Sequence, residues 1–363
     1  MAKLLLALIV ITMFVVWNQP LRERLTHLLG VPEHTVSGYV ANYNDALLRV
    51  NGKKGGGSGF ICQVNGHPVA ITNVHVLSST PGFNLTNLNN APFPVTAGAM
   101  AVGRDIVKME GGGNGEGGKR FDVMENVDAQ VKCGDAVAVL GYDEGAKAVK
   151  PVAGTVIGIE PNLVEVDASF EACDSGSPVI HKATGKVLGV ATYLPKRNAG
   201  TGAKSGVPVA GRCFAARLDG VKKWEPINWP LFYTQAGQVE KMELLTQDFI
   251  ALSKNSGKGG SFSGNYQSLA VQRAVQSFLT ESARSMGAGE RATIVPRFLT
   301  DVRFASRGDM SSFDAPHAYD YFRQKVDEQI RLRDAAQADL TRAMEANRKE
   351  AEAHAGPTAR PQR

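Results

Sequence analysis

From about residue 46 to residue 220 the chain alternates short apolar runs with breaks rich in glycine and asparagine. The runs "GSGFICQV", "HPVAITNVHV", "DAVAVLGY", "GTVIGI", "NLVEVDA", "SPVIH" and "GKVLGVATYL" are rich in Val and Ile. Turn signals such as "VNGH" and "ATGK" bound them. Many short strands at close spacing predict a mainly β fold, either a sandwich or closed barrels. The stretch "EGGGNGEGGKR" (110–120) fits no regular element and reads as a flexible surface loop.

After residue 232 the period becomes helical. Val239, Met242, Leu245, Phe249 and Leu252 recur at three- and four-residue steps. A linker (255–265) follows, then a second helical stretch, "YQSLAVQRAVQSFLTESARSM". Residues 315–354 predict a long, charged, alanine-rich helix with Phe322, Val326, Ile330, Ala336, Leu340 and Met344 along one side. The tail "AGPTARPQR" is expected to be disordered. The region 233–363 is therefore a helical C-terminal extension, and its helices offer a surface for a homo-oligomer or another partner.

Composition sharpens this picture. The chain has 363 residues and 43% apolar content, enough for a sizeable core. Its net charge of +5 gives no indication of nucleic acid. The four cysteines form no C-x-x-C pair; three disulfide pairings are open to them, as is the thiol form. His67, His75 and His181 are scattered, with no H-E-x-x-H or paired-carboxylate pattern, so no metal is predicted. The glycine-rich loop lacks the G-K-[ST] ending of a phosphate loop, and no cofactor is predicted.

The N-terminus speaks to compartment. Lys3 precedes an apolar run from Leu4 to Trp17, ended by Asn18, Gln19 and Pro20. This is the pattern of a secretory segment and is short for a membrane span, which needs about 20 apolar residues. No small-x-small cleavage site follows. Residues 1–20 thus read as a signal peptide or an uncleaved anchor through residues 4–17, and 21–45 as a linker. The chain is expected to be exported, either periplasmic, anchored facing the periplasm, or secreted.

Three strings carry candidate chemistry. In "ACDSGSPV" (172–179), Ser175 sits in a tight Asp-Ser-Gly turn between strands. A serine hydroxyl needs a neighbouring base and donors for the developing oxyanion, and such a turn can offer its own backbone N–H groups. In "AITNVHVL" (70–77), His75 follows an apolar strand. In "GRDIVKME" (103–110), Asp105 enters a short alternating strand. Each alone is an ordinary turn or strand-end residue. Together they stand in the order His, Asp, Ser within one β region, the order of chymotrypsin-type triads. Asp122, in "KRFDVMENVD", is the rival acid.

The strings "GSGFI" (57–61), "ITNVHV" (71–76), "RDIVKM" (104–109), "VKCGDAVAVLGY" (131–142), "VEVDASFEACDSGSPVI" (164–180) and "GKVLGVATYL" (185–194) run in one order. In that order they resemble the trypsin-like serine peptidases, most of all the bacterial HtrA/Deg branch. The likeness covers roughly residues 50–220. It implies two six-stranded antiparallel β-barrels within a peptidase domain at 46–232, and protein or peptide substrates cut through an acyl-enzyme. His75 would be the general base, Asp105 its orienting acid and Ser175 the nucleophile. The backbone N–H groups of Cys173 and Ser175 would form the oxyanion hole. Ser169, Val190, Ala191 and Thr192 would line the substrate pocket. Ser169 stands where trypsin has an acid, so an uncharged side chain before the cut is expected. No PDZ-like pattern follows the barrels.

The chain departs from the family pattern at Cys173, where glycine is usual two residues before the nucleophile. A Cβ there can cost about 1–3 kcal/mol in a sparsely populated conformation. The alternative to an active enzyme is therefore a protease-like scaffold that binds a protein partner. Asp174 matches the acid that pairs with a new N-terminus in zymogens, but no activation site is evident here.

Overall fold

The computed structural model describes residues 43–53, 55–64, 67–111, 120–143, 148–168, 174–194, 212–256 and 318–354, with a few helical positions between 269 and 280. The predicted export segment, most of the 21–45 linker, the core of the glycine-rich loop, Ser169, Cys173, most of the 266–286 helix and the C-terminal tail lie outside these residues. The chain divides into two compact units, Met1–Ile227 and Asn228–Arg363.

The first unit is built of strands β1 (Leu47–Asn51), β2 (Gly56–Val64), β3 (His67–Thr72), β4 (Asn84–Asn87), β5 (Val95–Ala101), β6 (Val107–Gly111), β7 (Ala136–Asp143), β8 (Ala148–Ile159), β9 (Leu163–Val166), β10 (Pro178–His181), β11 (Val187–Leu194), β12 (Arg212–Arg217) and β13 (Trp224–Pro226). Two short helices interrupt them, α1 (Val74–Ser79) and α2 (Val127–Gln130). Among the described residues the strands form two antiparallel sheets. One is seven-stranded, in the order β13-β5-β6-β3-β2-β1-β4, and the other is a closed barrel, β10-β11-β12-β9-β8-β7.

The first sheet stays a half-barrel where two closed barrels were expected. Its free edges, β4 and β13, do not pair with each other among the described residues. Pro92 and Pro94, in the connection from β4 to β5, have no N–H to give a ladder. This connection is tied back to β4 by a bridge between Thr86 and Pro92, by the Phe93 N–H donating to the Leu85 carbonyl at 2.9 Å and by the Asn87 N–H donating to the Ala91 carbonyl at 2.9 Å.

The closed barrel is small, and its interior is filled by side chains rather than a channel. Val137, Val139, Val156, Val164, Val166, Val179, Leu188 and Ala215 form that core, with Met124, Val127 and Val131 packed on it. The period-two pattern of the sequence is visible in β9, whose residues alternate between half-buried and buried. β10 is buried throughout because it lies between β7 and β11. Cys62, Cys133 and Cys213 are thiols, and burial pushes the Cys62 thiol up to about 12, which makes it unreactive.

A buried arginine is built into the end of this barrel. Arg217, 3% exposed at the end of β12, spends all five of its N–H donors. Its Nε and one Nη donate to Asp219 at 2.9 and 2.7 Å. Both Nη atoms donate to Asp128 at 2.8 and 2.9 Å, and one also to the Glu160 carbonyl at 2.9 Å. Asp219 in turn accepts the Val127 N–H at 3.0 Å, fixing the start of α2. Removing one partner of a buried ion pair leaves the other uncompensated, so Arg217→Ala is expected to destabilise the fold by about 3–5 kcal/mol. Urea unfolding measures this, and a loss under about 1 kcal/mol would show the network to be dispensable.

In the second unit, helices α3 (Trp229–Ser256) and α4 (Asp320–His354) pack along the apolar positions read from the sequence. Val239, Met242, Phe249 and Leu252 are buried on α3, and Phe322, Val326, Ala336 and Leu340 on α4. Phe232 meets Phe322 edge to face, with ring centroids 5.1 Å apart. Among the described residues no helix is long and apolar enough to cross a membrane.

Candidate active site

His75 sits in the first turn of α1. Val74, Val76 and Leu77 turn into the sheet, and the His75 side chain is left 38% exposed. The residue before the helix, Asn73, makes no side-chain cap. Its amide donates instead to the Asp105 backbone carbonyl at 2.8 Å. This ties the strand leading to His75 to the loop carrying Asp105.

Three donors converge on the Asp105 carboxylate. The His75 backbone N–H reaches Oδ1 at 3.1 Å, and the His75 ring meets Oδ2 through Nδ1 at 2.6 Å. The Thr192 hydroxyl donates to Oδ2 at 3.2 Å from β11 of the closed barrel. An ionised carboxylate can only accept. Nδ1 therefore carries the ring proton, and the lone pair of the neutral imidazole sits on Nε2. That is the tautomer a general base requires. The rival acid, Asp122, is exposed, and its backbone carbonyl accepts the Val187 N–H at 2.8 Å.

Ser175 lies in the turn that leads into β10. The turn is clasped from two sides. The Ser58 N–H of β2 donates to the Ser175 carbonyl at 2.9 Å. On the other side, the Gly176 N–H donates to the Ala191 carbonyl at 3.0 Å, and the Ala191 N–H donates to the Ser177 carbonyl at 2.8 Å. Gly176 has φ +92°, and a Cβ there would lie 1.9 Å from the Ser58 carbonyl oxygen and 2.6 Å from Thr72 Oγ1. Only glycine fits that position. Thr72 itself donates to the Ser58 carbonyl at 2.7 Å, so the serine turn and the strand leading to His75 share Ser58 as a common support. Gly57 makes the same point. A Cβ on it would lie 2.7 Å from a Val76 methyl and 3.3 Å from the Ser175 carbonyl oxygen.

The other expected site residues fall as follows. Val190 and Ala191 are fully buried, and the Ala191 backbone is bonded to the serine turn. Thr192 is 5% exposed and spends its hydroxyl on Asp105. Asp174 is buried beside β7, and a Cβ at Gly141 would lie 1.8 Å from its Oδ1. Ser169 and Cys173 are outside the described residues. Sequence reading missed the Thr192 and Asn73 contacts with Asp105 and the role of Ser58. The only available signals were a hydroxyl inside a run of small strand residues and the Thr-Asn step before His75.

A closed β-barrel beside a β half-barrel, with an acid–histidine pair on one and a Ser-Gly turn on the other, is the arrangement of a trypsin-like fold. Residues 57–190 match the family model of the trypsin-like peptidase domain. Among solved structures it is similar to an inactive form of Rv3671c from M. tuberculosis (18% identity, 49% of this chain and 84% of that one, TM-score 0.37). It is also similar to the HtrA-type protease AlgW with a tripeptide (16% identity, 51% of this chain and 60% of that one, TM-score 0.39). A third is the serine endoprotease from Yersinia pestis (16% identity, 50% of this chain and 62% of that one, TM-score 0.38). No curated protein matches.

Proposed function

We propose that the chain is a serine endopeptidase that cleaves proteins or peptides through an acyl-enzyme. The observation that carries this reading is the 2.6 Å contact of Asp105 with His75 Nδ1 inside a trypsin-like peptidase domain. His75 Nε2 takes the proton from Ser175 Oγ as the oxygen attacks the substrate carbonyl. Asp105 holds the ring in place and stabilises the imidazolium. The oxyanion receives the N–H groups of Ser175 and Cys173. Collapse passes the proton from His75 to the leaving amine, and water then releases the acyl group by the reverse sequence of proton transfers. Ser169 and the β11 residues Val190, Ala191 and Thr192 shape the pocket. Ser169 favours an uncharged side chain before the cut.

Residues 1–20 direct export, as signal peptide or anchor, so the enzyme works in the periplasm, at the membrane face or outside the cell. The helices of 233–363 form the surface through which copies associate.

The test is reaction of the purified protein with a fluorophosphonate, read by intact mass and peptide mapping. The expected result is one adduct, located on Ser175. A folded protein that takes no adduct would be a protease-like scaffold that binds a protein partner.

A further inference from the structure

Asp105 is gripped by His75 and Thr192 on one flank, and its loop is gripped on the other. The loop is the tight connection from β5 to β6, with Gly103 at φ +75° and the Ala101 N–H bonded to the Ile106 carbonyl at 2.9 Å. Arg104, the residue before Asp105, turns its guanidinium away from the triad. It donates to three backbone carbonyls of the turn that follows β12: Arg217 at 2.5 Å, Asp219 at 2.6 Å and Gly220 at 3.2 Å. Close by, the Val102 N–H donates to the Lys223 carbonyl at 3.0 Å.

The receiving turn is itself rigid. The side chains of Arg217 and Asp219 are locked to each other, and Asp219 also holds α2. Arg104 therefore receives only carbonyls from this turn. The site is not a comfortable one for a cation. Burial pulls the Arg104 guanidinium below its ordinary value; the Asp219 charge opposes that pull and the Arg217 charge adds to it. A surface tie could be made by a neutral side chain. A fork that spans three carbonyls suits a place where an angle must be fixed, and a lysine's point charge would not reproduce it.

We propose that Arg104 is a positioning residue for the reaction. It fixes the direction from which Asp105 meets His75 by pinning the acid's loop to the 217–220 turn at the base of the other sheet. The proposal rests on the triad reading above. Asp105 belongs to the half-barrel, yet two of its constraints come from the closed-barrel side, the Thr192 hydroxyl at its carboxylate and the 217–220 carbonyls through Arg104. Loss of the Arg104 tie leaves the loop free to tilt, and small misplacements of a catalytic group are costly.

The experiment compares wild type with Arg104→Gln and Arg104→Lys in three readouts: kcat and KM on a fluorogenic peptide, the His75 pKa by NMR, and the unfolding temperature. Arg104→Gln is expected to lower kcat about 10- to 100-fold with KM unchanged. The His75 pKa should fall by about 1, because a displaced carboxylate stabilises the imidazolium less. Arg104→Lys, which keeps the charge but not the fork, should recover part of both. A folded Arg104→Gln protein with unchanged kcat and unchanged His75 pKa would overturn the proposal and leave a plain structural tie. If Arg104→Gln does not fold, the lysine variant decides on the same two readouts. A wild type without hydrolysis or fluorophosphonate labelling would sink the peptidase reading instead, and the His75 titration would still decide whether Arg104 sets the Asp105–His75 pair.

Discussion

Ser175→Ala is expected to lower peptide hydrolysis by about a million-fold in kcat while leaving the unfolding temperature unchanged. The two halves of that statement come from different atoms. In the proposed mechanism the nucleophile is Oγ, and nothing in the turn substitutes for it. The turn itself is held by the Ser175 carbonyl, which accepts the Ser58 N–H, and by the bonds of Gly176 and Ser177 to Ala191. None of these uses the hydroxyl. The proposed triad would act as a unit, so adding His75→Ala to the serine variant should cost almost nothing more. Steady-state hydrolysis of a peptide library, with protein purified away from host peptidases, measures both. A loss of less than about 100-fold would place the nucleophile elsewhere in the chain.

Asp105→Asn should be the next most damaging change, about 10⁴-fold in kcat with little effect on stability. The reason lies in which donors can turn. The His75 backbone N–H points at Oδ1 and is fixed by the helix, so the asparagine carbonyl must stay there. Its NH₂ then occupies the place of Oδ2, facing His75 Nδ1. The Thr192 hydroxyl can rotate to accept, but the imidazole can accept at Nδ1 only by moving its proton to Nε2. The ring keeps its position and loses its basic nitrogen. Asp122→Asn is the control, because that side chain is exposed and its recorded bond is made by the backbone; activity should be retained. If Asp122→Asn abolished turnover and Asp105→Asn did not, the acid would be reassigned.

Much of this was legible in the sequence because it is local. Strand runs announce themselves by Val and Ile between turns, and β9 shows the alternation directly. His75, Asp105 and Ser175 each sit in a string whose neighbours define a strand end or turn. What was not legible depends on partners far along the chain. Nothing local in "RCFAAR" reveals that Arg217 is buried among Asp128, Asp219 and the Glu160 carbonyl. Thr192 reads as a small pocket residue, and its hydroxyl is committed to Asp105. Arg104 carries no local signal of its role, because its partners lie beyond residue 216. The open first sheet was not legible either, because its free edges are β4 and β13, strands far apart in the chain whose failure to meet no local string announces.

The pairing of β13 with β5 has a consequence in time. Trp224 lies opposite Ala101 and Pro226 opposite Ala99, so the strand that supports the acid's loop is synthesised long after the loop itself. The carbonyls that hold Arg104 are also late. Domains tend to fold as the chain emerges, N-terminal parts first. The proposed base and acid are therefore made before the proposed nucleophile, and the turn and strand that brace the acid's loop are made after all three. On the proposed mechanism, a growing chain would hold base, acid and nucleophile before the 217–226 segment that braces them exists, so the capacity to cut would wait for β13.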